Sequence, residues 1–186
     1  MAQIKTYCDY IRTIPEKEFN VHREYHDNAY GFPLNNDDEL FERLVLEINQ
    51  AGLSWTTILN KQKNFRKAYC KFNIKKIANF NEKDLSRLMN DAGIIRNRLK
   101  INAAITNAKT VLSLKKEFGS FKNWLDTHHP KTRDEWTKLF KKTFVFTGGE
   151  IVNEFLMSTG YLKGAHEKKC PVYKKILKLN PSWMKK

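Results

Sequence analysis

Leu46-Glu47-Ile48-Asn49-Gln50-Ala51-Gly52-Leu53-Ser54-Trp55 sets a carboxylate among apolar residues, breaks at a glycine and follows it closely with a tryptophan. Leu40, Leu44, Ile48 and Ala51 recur with helical period and share one face, and Glu47 lies at the edge of that face. The stretch reads as the end of a helix that Asn36 or Asp37 caps, that runs to about Gln50, and that has Gly52 as its C-terminal glycine. Carboxylates are seldom buried without a partner, so Glu47 has two readings. It is a capping or core ion-pair residue, or it is held ready for something specific.

Outward from this helix the pattern stays helical. Ser54 can cap a second helix through Trp55, Ile58, Leu59, Phe65 and Tyr69, and a short helix fits Ile74 to Asn79. Asn81 precedes Asp84 by three residues, a capping arrangement for a helix through Leu85, Leu88 and Met89. After Ala92-Gly93 a longer helix carries Ile101, Ala104, Ile105, Ala108, Val111 and Leu112 on one side. Further helices fit Phe121 to Thr127, Arg133 to Lys142, Glu150 to Ser158 and Val172 to Leu179; only Thr143 to Thr147 reads as extended. The expected fold is all-α, many short helices in a single compact domain over residues 1–186.

Lys and Arg number 34 against 20 Asp and Glu, a formal charge of +14 that favours a polyanionic partner. Charge alone does not separate DNA, RNA and acidic lipid. No apolar run approaches the roughly 18 residues that span a bilayer, and Met1 to Arg12 has no apolar core of the secretory kind. Three cysteines far apart make a poor disulfide framework, which points to a reducing cytoplasm.

Two constellations suggest chemistry. Leu85 to Ile101 reads as two apolar-faced helices joined by a glycine turn, with Arg96, Arg98 and Lys100 beside it. Amides at the start of the second helix and these cations suit a phosphate backbone; an ordinary basic helical hairpin has the same pattern. His166 and Cys170 are spaced four apart, so both can face one ion, and Cys8 with His26 is the natural second pair. A closed Cys2His2 zinc site would tie the chain ends together; isolated packing residues or a Cys8–Cys170 disulfide are the alternatives. Cys70 reads as a packing residue.

Three segments, Tyr25-His26-Asp27-Asn28-Ala29-Tyr30-Gly31, Leu46 to Trp55 and Asp91-Ala92-Gly93-Ile94-Ile95-Arg96, together resemble the bacterial DNA-3-methyladenine glycosylase I family. Thr147-Gly148-Gly149 and the His166/Cys170 pair are similar to its C-terminal part, so the resemblance runs from about Tyr7 to Tyr173. It implies a helix-hairpin-helix DNA repair glycosylase with one structural zinc, whose ligands fall on Cys8, His26, His166 and Cys170. Base recognition falls on Glu47, which with Tyr25 forms the implied catalytic pair. Base contact falls on Trp55, Tyr25, Tyr10 and Tyr30, and the grip on the DNA backbone on Gly93, Ile94, Ile95, Arg96 and Arg98. The implied substrate is alkylated double-stranded DNA and the implied enzyme a monomer of the bacterial cytoplasm. The chain departs from the family at His22, where an aromatic is usual, and at Tyr30, where Trp is usual; its Cys8–His26 stretch is also longer.

The implied chemistry is modest. A base inside a duplex must be flipped out, at a cost of a few kcal/mol. Adenine methylated at N3 is cationic, so aromatic faces and a carboxylate favour it over normal adenine, and it leaves readily. Between Arg96 and Phe121 there is no Asp and the only acid is Glu117, so the chain lacks the catalytic Asp that other helix-hairpin-helix glycosylases place beyond the hairpin. Such a chain is expected to break only weak glycosidic bonds. No lysine stands out as a Schiff-base nucleophile, so strand-cleaving lyase activity is not expected.

Overall fold

The computed structural model describes residues 6–15 and 19–185, and among them it is all-helical, with eleven α-helices, two short 3-10 turns and no strand. The chain forms two compact units. Residues 34–155 make one; the described residues up to Pro33 and from Leu156 onward make the other.

At the centre of the first unit is α3 (Asp37–Gln50), capped as expected by the Asn36 side chain, which accepts from the Asp38 and Glu39 amides. Asp37, Asp38 and Glu39 in its first turn complement the helix dipole. The single apolar face of the sequence reading understates its burial, because every residue from Leu40 to Asn49 is buried. Helices α4 (Trp55–Ala68), α5 (Ile74–Ala78), α7 (Arg98–Phe118) and α8 (Phe121–His128) all pack against it. The acids that this enclosure traps are paired at most positions. Asp37 meets Lys115 at 2.7 Å, and Glu42 accepts from Arg66 at 2.8 Å and from Gln62 at 2.9 Å.

Local capping sets the other helix starts. Ser54 caps α4, Asn81 and Asp84 form the capping box of α6 (Glu82–Asn90), and Thr132 with Glu135 forms that of α9 (Arg133–Thr143). Phe121, Trp124, Trp136, Phe140 and Phe144 build a buried aromatic layer, joined by Phe155 of α10 (Gly149–Ser158). No described helix is long and apolar enough to cross a membrane.

The extended reading of Thr143 to Thr147 is corrected. Phe144 is extended, yet Phe146 turns into the left-handed region at φ +61, and the segment pairs with no strand. Its backbone is satisfied by a side chain instead: the buried Asn107 amide donates to the Val145 carbonyl at 3.0 Å and accepts from the Val145 amide at 2.9 Å. Asn107→Ala removes both bonds and is expected to lower stability by about 1–3 kcal/mol in chemical denaturation. An unchanged midpoint would show that the loop does not depend on Asn107.

Two helices of the terminal unit escaped the sequence reading, α1 (Tyr7–Arg12) and α2 (Val21–Asn28). The first has only six residues, held by a Thr6/Asp9 capping box. The second buries His22, Tyr25 and His26 rather than aliphatic residues, so hydrophobic periodicity is blind to it. A small core of Cys8, Cys170, Val172 and Ile176 joins α1 to α11 (Pro171–Lys178), with Phe32 and Tyr173 packed against it. Cys70, read as a helical packing residue, lies instead in a 3-10 turn at positive φ and is only half-buried.

Candidate functional site

In the terminal unit Cys8 comes from α1, His26 from α2, His166 from the loop before α11 and Cys170 from its N-cap position. All four are buried, and their ligand atoms lie within 4.8 Å of one another. The S···N separations of 3.3–3.8 Å match the edge of about 3.5 Å in a tetrahedron with ordinary Zn–S and Zn–N bonds. Outer hydrogen bonds orient both imidazoles. The His166 Nε2–H donates to the Tyr30 carbonyl at 2.7 Å, which leaves Nδ1 bare toward the two sulfurs. His26 holds the Asp27 carboxylate through Nδ1 at 2.6 Å, which leaves Nε2 toward Cys8 and Cys170.

Burial lowers the His166 pKa to about 4, so the ring is neutral at pH 7, as a ligand must be. Burial also pushes the Cys8 thiol up to about 11, and a cation is what would draw its proton off. All three cysteines are free thiols, so the disulfide alternative falls away. The donor set, its enclosure and its outer hydrogen bonds fit a bound metal ion.

Beside this cluster the unit carries stacked and edge-on rings. Tyr7, which the sequence reading passed over, is their hub, with centroid distances of 6.2 Å to Tyr10, 6.4 Å to Tyr25 and 5.4 Å to Tyr30. Its hydroxyl meets His22 Nδ1 at 3.0 Å, and burial followed by its tyrosine neighbours raises its pKa. The signal was present: Tyr7 and Tyr10 are three apart and share a helix face. Tyr25 and Tyr30 are buried and 5.6 Å apart.

In the unit of residues 34–155 Glu47 lies in the last turn of α3 at 4% exposure. Among the described residues no hydrogen bond acts on its carboxylate, only the charges of Arg43 and Glu154. Desolvation pushes its pKa up to about 8; Arg43 opposes the shift and Glu154 adds to it. After Ala51 the chain turns through Gly52 at φ +80, a conformation glycine adopts without strain, and Trp55 follows as the first residue of α4, half-buried. Lys100, expected on the surface with Arg96 and Arg98, is buried instead, and its ammonium donates to the Asn49 and Ala51 carbonyls.

The hairpin differs from expectation in where its second helix begins. Helix α7 starts at Arg98, five residues past Gly93, because Asn97 caps it by accepting the Lys100 amide at 3.1 Å. Gly93 sits in a turn closed by its own amide on Asp91 Oδ1 at 2.7 Å. A Cβ there would come within 3.1 Å of Asn64, so the turn needs glycine for close approach to α4. Ile94 is buried, Ile95 half-buried, and Arg96 and Arg98 are exposed.

Residues 16–139 match the methyladenine glycosylase family. The chain is similar to DNA-3-methyladenine glycosylase of Haemophilus influenzae, with 34% identity over 173 residues covering 83% of this chain and 93% of that protein. It is also similar to DNA-3-methyladenine glycosylase 1 of Escherichia coli, 36% identical over 155 residues that cover 73% of this chain and 83% of the other. A solved 3-methyladenine DNA glycosylase I from Staphylococcus aureus, determined to explain recognition of 3-methyladenine, superposes with a TM-score of 0.76. Identity to it is 31%, with 84% of this chain and 93% of that chain covered.

Proposed function

This chain belongs to the methyladenine glycosylase family, and from that premise we propose that Glu47 is the group with which it reads the damaged base. The chain is a DNA glycosylase that excises 3-methyladenine in base excision repair. What supports Glu47 is its isolation. On the same helix Glu42 is buried with Arg66 and Gln62 on it, whereas Glu47 is buried with no hydrogen bond among the described residues. A group kept in that state is destabilising unless a ligand completes it.

The chemistry follows from its raised pKa. In the free protein at pH 7 the carboxyl is largely neutral. A flipped 3-methyladenine brings a positive charge into a site of low dielectric, draws the proton off and is held by a charged hydrogen bond. Normal adenine carries no such charge and gains nothing comparable. The face of Trp55 adds stacking and cation–π attraction. Tyr10, Tyr25 and Tyr30 are assigned to base contact by the family resemblance alone, as is help from the Tyr25 hydroxyl in directing water. Because the alkylated base is a good leaving group, this preference accounts for catalysis without a strong general base.

Gly93, Ile94, Ile95, Arg96 and Arg98 are assigned to the backbone of double-stranded DNA in a helix-hairpin-helix grip, on a chain whose +14 charge favours that partner. Cys8, His26, His166 and Cys170 are assigned to zinc, which when bound supplies a structural cross-link between the chain ends. The reading is completed by a monofunctional, monomeric enzyme of the bacterial cytoplasm, one glycosylase domain over residues 1–186. Chromatography of bases released from methylated duplex DNA is expected to show 3-methyladenine with adenine retained. Release of neutral hypoxanthine at a similar rate would overturn the charge-based reading.

A further inference from the structure

Lys100 stands in the first turn of α7, in a run of cations, yet it is only 5% exposed. Its Nζ donates to the Asn49 carbonyl at 2.9 Å and to the Ala51 carbonyl at 2.6 Å. These belong to the end of α3, where carbonyls have no helical partner. The remaining carbonyl between them, that of Gln50, accepts from the Leu53 amide at 2.7 Å, and the Gln50 side chain closes on the Leu53 carbonyl at 3.0 Å. An ammonium from a helix 51 residues away therefore completes the cap of α3 and meets the negative end of its dipole. Desolvation lowers the Lys100 pKa, so burial opposes the charge that these carbonyls hold.

The capped turn separates Glu47 from Trp55, and Lys100 lies two residues beyond Arg98 of the hairpin. We infer that Lys100 is a positioning residue: it fixes the end of α3 so that Glu47 and Trp55 keep their base-reading geometry, and it ties that geometry to the helix following the hairpin. The inference rests on the assignment of Glu47 and Trp55 made above. On this reading Lys100 acts through the α3 carbonyls and touches neither base nor phosphate.

The test compares Lys100→Met, Lys100→Arg and Glu47→Gln in the full chain. Single-turnover release of 3-methyladenine, calorimetric binding of free 3-methyladenine, affinity for undamaged duplex and melting temperature are measured for each. Lys100→Met keeps the stem and loses the ammonium. It is expected to slow release per folded molecule by about ten- to a hundredfold, the scale of a small misplacement of reacting groups, and to weaken binding of the free base. Affinity for undamaged duplex is expected to stay within about threefold of the parent, because no phosphate contact is lost. Lys100→Arg keeps charge and donors and is expected to recover most of the release. In the double variant with Glu47→Gln the two losses are expected not to add.

Normal release per folded molecule from Lys100→Met, with only a lower melting temperature, would overturn the inference. A loss confined to duplex affinity would also overturn it and make Lys100 a phosphate contact after all. If Lys100→Met does not fold, Lys100→Gln, which keeps a polar end but loses the ammonium, decides in its place: parent-like melting with impaired base binding supports positioning, and parent-like values of both overturn it. Normal release from Glu47→Gln beside a defective Lys100→Met would instead overturn the Glu47 reading.

Discussion

Glu47→Gln is expected to slow release of 3-methyladenine by roughly ten- to a hundredfold, the value of a charged hydrogen bond of about 1.5–3 kcal/mol. The amide keeps the shape of the carboxyl and some of its hydrogen bonding but cannot become an anion beside a cationic base. The pH dependence provides a second signature. In the parent the carboxylate is the form that receives the cation, and burial holds the pKa near 8, so kcat/KM is expected to rise with pH up to about that value and then level. Glu47→Gln has no such group, and this part of its profile should be flat.

Stability should move the other way. The folded pKa lies above the ordinary value of 4.5, so the fold prefers the neutral acid. As pH rises from 4.5 toward 8 the unfolded chain gives up its proton first, and native stability is lost across that window. At about 1.4 kcal/mol for each pKa unit, the loss is on the order of a few kcal/mol. Glutamine escapes it, so the melting temperature of the variant is expected to pull ahead of the parent between about pH 5 and pH 8 and hold a constant lead above. A destabilised variant with undiminished release would mean that Glu47 serves Arg43 as a structural partner and not the base.

Removing the metal is expected to have the largest effect on stability. The purified protein should contain one zinc per chain by elemental analysis. Stripping it with a chelator, or replacing Cys170 by Ser, is expected to break the proposed link from α1 and α2 to the segment before α11, between ligands as far apart in sequence as Cys8 and His166. The cost is on the order of several kcal/mol, which for a chain of this size lowers the melting temperature by roughly 10 °C or more. Without the ion, buried thiols and a neutral imidazole face one another with little to hold them. Release of 3-methyladenine per folded molecule, measured well below the melting transition, is expected to change little. A native protein with no metal and an indifferent melting curve in chelator would remove zinc from the account.

Much of the helical framework follows from the sequence by itself, because it rests on local bonds. Asn36, Ser54, Asn81 and Thr132 cap helices by bonds to amides two or three residues away, so the starts of α3, α4, α6 and α9 are legible wherever the chain goes afterwards. A buried Glu47 was legible because a carboxylate is costly to bury and stands out against an apolar pattern, and the Cys/His pair because its spacing lets two metal-ligating side chains face one ion. Other features waited on partners distant in sequence. Helices α1 and α2 are short, and apart from Ile11 what they bury is cysteine, tyrosine and histidine, among which Cys8 and His26 face His166 and Cys170 at the far end of the chain. The Thr143 to Thr147 segment reads as a strand until Asn107 is seen to supply the pairing that a neighbouring strand would give.

Lys100 shows the limit most clearly. In sequence it is one more cation in a basic run; in the fold it is buried on two helix-end carbonyls, while Arg96 and Arg98 remain exposed. That Glu42 accepts from Arg66 and Gln62, while the Glu47 carboxylate has no hydrogen bond among the described residues, was likewise decided only by the fold. Whether a charge is solvated, paired or left waiting depends on which groups surround it, and packing between distant segments chooses those groups.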